Sequence, residues 1–219
     1  MTYQKASFLD QINIPSHDGI WLQENGKYEY GIGCVAFCQH SNDNSVLLIK
    51  KTPKQYKKTY EFGDMLACPG GMVRGAEGKT WGEAILSSVQ DRVLKETGII
   101  LNNPVSTMVL EPGFAPITCY NTRFGSKYTL TLHLIFPECE AKPTATDDPS
   151  VQEAIWQKLP LPWSQISPAN RIILARILWP KLPKAERNDV RPIVQKAWDQ
   201  CSQWGENVGL ELHSPPWGQ

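Results

Sequence analysis

Trp81, Ile85, Val89 and Val93 recur four residues apart, which is the buried stripe of an amphipathic helix. The flanking residues supply its ends. Thr80-Trp-Gly-Glu83 reads as a capping box, with hydroxyl and carboxylate satisfying free amides of the first turn. Gly98 suits the left-handed position just past a helix C-terminus. The pattern therefore predicts a helix over 80–97. Elsewhere the period is two. Residues 128–134, Tyr-Thr-Leu-Thr-Leu-His-Leu, alternate polar with apolar, predicting a half-buried strand within Lys127–Phe136. Tyr30–Cys38 and Ser45–Lys50 are apolar runs around the turn-forming His40–Asn44, which predicts a hairpin. Shorter strands are predicted at Val105–Leu110, Ile117–Tyr120 and Ala154–Gln157, and the first thirty residues read as irregular.

Toward the C-terminus, Ser167 and Pro168 are an N-cap and first helical residue, opening a helix that ends before Pro180. After a linker over Pro180–Arg187, the residues Val190, Val194, Ala197, Cys201 and Trp204 form a second stripe, which Gly205 ends. This order of elements predicts an α/β (α+β) fold with a mixed sheet. It divides the chain into an irregular segment over 1–27, a domain over 28–180 and a helical extension over 181–219.

Composition narrows the classes of function. The 219 residues are 41% hydrophobic and 20% charged, as in an ordinary globular protein. Lys+Arg and Asp+Glu number 22 each, so no net field draws in nucleic acid or an acidic membrane surface. Apolar runs are too short to span a bilayer, and Met1–Pro15 lacks the apolar centre of a signal peptide. The expected setting is the cytoplasm. Six cysteines lie scattered without a C-x-x-C pair, which speaks for core filling over zinc or disulfides.

The candidate chemistry sits around the first helix. Pro69-Gly-Gly71, then Glu77, then a capped helix closing on Leu94-Lys-Glu-Thr-Gly-Ile99, resembles the Nudix box, G-x5-E-x7-R-E-U-x-E-E-x-G-U with U aliphatic. Gly71 and Glu77 match its opening; Glu96, Gly98 and Ile99 match its close. The preceding Leu47–Lys51 and the later Glu153-Ala-Ile-Trp156 agree with the family's flanks. The resemblance implies a Nudix-type α/β/α sandwich, here with a C-terminal helical extension. It also implies a hydrolase of nucleoside diphosphate-linked compounds that uses magnesium.

This chain departs from that pattern in two ways. Thirteen residues separate Glu77 from Asp91 where the pattern has seven before its arginine. Four of the six extra residues lie in the helix, slightly over one turn, so its faces stay within about 40° of register. Second, the R-E-U-x-E-E stretch reads Asp91-Arg-Val-Leu-Lys-Glu96. Arg92 and Lys95 stand at two carboxylate positions, Asp91 stands where the arginine would be, and Glu96 remains. Magnesium needs several oxygen ligands, so its binding is expected to be weak or absent, with Glu96, Glu77 and Asp91 as the candidate ligands. Two readings of the charges stand. Asp91–Lys95 and Arg92–Glu96 are each four apart and suit helical ion pairs; alternatively, Arg92 and Lys95 face a phosphate directly.

The remaining candidates follow the same logic. Gly70, Gly71 and Arg74 could hold phosphate beside Arg92 and Lys95, and Glu96 or Glu153 could take a proton from attacking water. Glu111 could supply a further ligand. Lys50, Lys51, Lys54, Lys57 and Lys58 suit a solvated loop or the steering of an anion. His133 suits a packed or rim histidine more than a base. The leading reading is a weak or divergent hydrolase of nucleoside diphosphate-linked compounds; the alternative is a catalytically inactive nucleotide-binding or regulatory protein. The expected partner is a small nucleotide-like ligand; the stripe of the last helix is expected to pack on its own domain, with a homodimer through it as a further option.

Overall fold

A computed structural model describes residues 20–22, 29–55, 58–59, 62–73, 81–102, 104, 117–121, 127–144, 148–207, 215 and 217. Two sheets organise these residues. In the larger one, β1 (Ile20–Leu22), β2 (Glu29–Phe37), β9 (Lys127–Ile135) and β8 (Ile117–Asn121) lie in that order, and β7 (Gly70–Met72) pairs with β2. β2 and β9 run parallel and the other pairs antiparallel, so the sheet is mixed. The smaller sheet has the order β10 (Val151–Gln157), β3 (Val46–Lys51) and β6 (Leu66–Ala67). A two-stranded ribbon, β4 (Lys54–Gln55) with β5 (Lys58–Thr59), completes the strands.

Helices cover both faces of the larger sheet. α1 (Trp81–Thr97) packs Ala84, Ile85, Val89 and Val93 against Ile32, Cys34 and Ala36 of β2 and Leu130, Leu132 and Leu134 of β9. On the other face, Val35 and Phe37 meet α2 (Pro168–Leu178) and α3 (Lys184–Asn207). β2 is thus buried on both sides, which explains why its sequence runs apolar instead of alternating. β9 does alternate, but its polar face is not solvated. The C-terminal helices cover it, leaving Thr131 and His133 buried.

Several expectations are corrected. β2 and β3 do turn tightly, with Leu47 N–H donating to the Cys38 carbonyl at 3.1 Å, yet they enter different sheets. Val46 and Leu48 face the α2/α3 layer while Leu47 faces the α1 layer, so β3 is also buried on two sides and takes β10 and β6 as partners. The N-terminal stretch contributes β1, which pairs with β2. α3 begins at Lys184, within the expected linker, and runs past Gly205 with Pro192 inside it. Its stripe of Val190, Val194, Ala197 and Cys201 is buried against α2 in the chain's own core. The side-chain amide of Gln90 on α1 donates to the carbonyls of Leu101 and Asn102 at 3.1 and 3.2 Å. Thr80, the side chain of Trp81 and the strand expected at 105–110 lie outside the described residues.

Candidate functional site

α1 ends where the pattern says. Gly98 adopts φ 70° and donates its N–H to Leu94 at 2.8 Å, while Thr144 N–H donates to the Thr97 carbonyl at 3.0 Å. This fixed end aims the last turn of the helix at the Cys68-Pro-Gly-Gly71 segment. Both layers grip that segment. Asn170 of α2 accepts from Cys68 N–H at 2.9 Å, and Glu96 of α1 accepts from Gly70 N–H at 2.8 Å. Pro69 has no N–H, and its carbonyl accepts from Ala36 at 2.8 Å. Gly70 must be glycine: it adopts φ 147°, and a Cβ there would meet the Cys34 carbonyl and lie 2.7 Å from Val35 Cα.

Glu96 is fully buried, and both its oxygens are engaged. Oε2 takes the Gly70 amide, while Oε1 takes Arg92 at 3.1 Å and Lys51 at 3.4 Å. Lys51 is the last residue of β3, only 15% exposed, so the supposed loop lysine is a wall of the site. Arg92 forks. One terminal nitrogen meets Glu96, and the other meets Asp148 Oδ2 at 3.1 Å. The other oxygen of Asp148 accepts from Ser150 N–H at 2.8 Å and from its hydroxyl at 2.5 Å. Burial pushes the Asp148 carboxyl up, but the Ser150 bonds and the Arg92 and Lys51 charges together hold it below the ordinary aspartate range. The Arg92 stem lies over Gly71, where a Cβ would sit 2.9 Å from Nε.

The other candidates fall elsewhere. Asp91 and Lys95 pair at 2.7 Å on the outside of α1, each more than half exposed. Glu153 is exposed on β10, in register opposite Lys50. His133 is buried on the α2/α3 side, where burial and then Arg176 push its pKa to about 3, so it is neutral at ordinary pH. Cys38, Cys68 and Cys201 are buried thiols pushed up to about 12 by burial, and Cys34 is pushed up for the same reason. Arg74, Glu77 and Glu111 lie outside the described residues. Asp148 and Asn170 were not singled out from sequence. Asp148 left one trace there, the turn-forming Asp-Pro-Ser150, which says nothing of Arg92.

The residues present do not fit a magnesium centre on the box helix. The carboxylate that remains is turned inward onto an amide and two cations, and its two former neighbours are basic. Among the described residues, no group of three or more His, Cys, Asp or Glu side chains is placed to hold a metal ion. No described helix is long and apolar enough to cross a membrane.

A mixed sheet lies between helical layers, with a Gly-Gly turn clamped to the end of the first helix and two further helices toward the C-terminus, an α/β/α sandwich. No family model and no curated protein matches the sequence. Among solved structures it is similar to the dihydroneopterin triphosphate pyrophosphohydrolase of E. coli, with a TM-score of 0.47 and 11% identity over 68% of this chain and 95% of that one. A MutT NUDIX hydrolase from Burkholderia pseudomallei gives a TM-score of 0.45 and 20% identity, over 66% and 95% of the two chains. The MutT protein of Methanosarcina mazei Go1 gives 0.44 and 16%, over 76% and 94%.

Proposed function

We propose that this chain binds a nucleoside diphosphate-type ligand without magnesium and does not hydrolyse it at an appreciable rate. One observation carries the reading: Glu96, the carboxylate left on the box helix, is buried with both oxygens committed to Gly70, Arg92 and Lys51. A carboxylate so placed is poorly available to a metal or an attacking water, because freeing it would strand two cations and an amide out of solvent. The ligand class follows from the resemblance of the Gly-Gly turn and box helix. A slow hydrolase is the second reading, favoured by the solvent exposure of Glu153, which leaves one carboxylate able to act as a base.

Calorimetric titration of the full chain with a panel of nucleoside diphosphate conjugates, with and without magnesium, tests this. Phosphate and mononucleotide release are followed in parallel. We expect binding that magnesium changes less than twofold, and no turnover above the uncatalysed rate. Brisk magnesium-dependent release that is lost in Glu96→Gln would overturn the proposal. Slow release lost in Glu153→Gln but not in Glu96→Gln would favour the second reading.

A further inference from the structure

We infer that the Arg92 guanidinium holds the place of a divalent cation in this site, so that the chain organises its Gly-Gly turn with a built-in positive charge. The inference rests on the metal-independent reading above and extends it to the residue that makes metal unnecessary. Two carboxylates from distant segments, Glu96 on α1 and Asp148 before β10, have side chains only 0% and 8% exposed. Each places an oxygen 3.1 Å from a terminal nitrogen of the same guanidinium. Those nitrogens share one carbon, so a single planar cation bridges the two carboxylates. The charges also match. Arg92 and Lys51 together supply the two positive charges that a divalent ion would bring to two carboxylates. A lysine at position 92 would not reproduce this, since an ammonium is a point charge while the planar fork serves two acceptors. Gly71 suits the arrangement, because an added Cβ would lie 2.9 Å from Arg92 Nε and press the stem aside.

Thermal unfolding of the full chain, without nucleotide, tests the assignment. Wild type, Arg92→Gln and Arg92→Lys are each melted alone and with millimolar magnesium or manganese, and manganese binding is read by electron paramagnetic resonance. We expect the wild type to bind no manganese and its midpoint to stay unchanged. Arg92→Gln strands two buried carboxylates beside one lysine, and its midpoint should fall by about 10 °C. Manganese should restore at least half of that loss and give a bound spectrum. Arg92→Lys should fall less and gain little from the metal. If Arg92→Gln does not fold alone, refolding it with and without manganese asks the same question. Failure of every ion to stabilise or refold Arg92→Gln overturns the assignment, and so does an equal gain in the wild type. Failure in Arg92→Gln alone would leave the ligand titration of the wild type standing, so the two proposals can fail separately.

Discussion

Arg92–Glu96 and Asp91–Lys95 are two ion pairs on one helix, with identical spacing and offset by a single residue. The second is the shorter, 2.7 Å against 3.1 Å, yet its members are 54% and 55% exposed and meet each other in solvent. In the first pair, Glu96 is removed from solvent, and it also holds Lys51 and the Gly70 amide while Arg92 reaches on to Asp148. One residue along a helix is a rotation of about 100°, enough to carry a pair from the surface into the core. Helical spacing tells which charges meet; burial and the further partners decide what the meeting does. The inner pair is a junction of four segments, and the outer one is a local contact.

Removing the junction's centre should have the largest effect. Glu96→Ala leaves Arg92 and Lys51 facing each other and deprives the Gly70 amide of its acceptor. We expect a loss of about 3–5 kcal/mol, read from the urea midpoint. A loss under about 1 kcal/mol would mean that the inner pair is as dispensable as the outer one.

Asp148→Asn attacks the same junction from its edge and carries a pH signature. The amide can still accept from Ser150, but it can present N–H to Arg92, so a loss of about 2 kcal/mol is expected at neutral pH. The native pKa of Asp148 is depressed, so its contribution is present above the unfolded value near about 4 and is lost as pH falls through the native value. The difference between wild type and variant should therefore be flat above pH about 5 and shrink in acid. A difference that grows in acid would contradict the charge assignment. Gly71→Ala should cost about 1 kcal/mol by pushing on the Arg92 stem. That cost should vanish in an Arg92→Ala background, which a double-mutant cycle measures.

Much of this was legible in the chain. The α1 stripe, its stop at Gly98 and the opening of α2 at Pro168 are local signals, and local signals survive folding. The junction was not legible, because its partners lie far apart in sequence. Lys51 is 45 residues from Glu96, and nothing in the lysines of 50–58 marks one of them as inward. Asp148 looked like a turn residue and is one; its second oxygen acquires a role only after β10 returns alongside β3. The same limit explains β3. Its apolar run fits a strand in any sheet, and the covering layers, not the turn before it, decide its partners. Gly205 does not end α3: it is buried within the helix, which runs on to Asn207.

The smallest expected effect is at the outer pair. Lys95→Ala removes a charge from a side chain more than half exposed, so its Coulomb energy is already screened by solvent, and ordering two long side chains costs entropy. Alanine also has the better intrinsic helix propensity, which offsets part of any loss. The opposing term is the helix dipole, since Lys95 lies in the last turn, where a cation is favoured by some tenths of a kcal/mol. These terms nearly cancel, and we expect Lys95→Ala to change stability by less than about 0.5 kcal/mol. Added salt should shrink even that, because exposed charges are screened over about 10 Å at ordinary ionic strength. The inner pair should respond far less to salt, so urea midpoints of Lys95→Ala and Arg92→Ala at low and high sodium chloride separate the two cases. If Lys95→Ala proved as costly as Arg92→Ala, and equally salt-resistant, the distinction between a surface pair and a buried junction would be wrong for this helix.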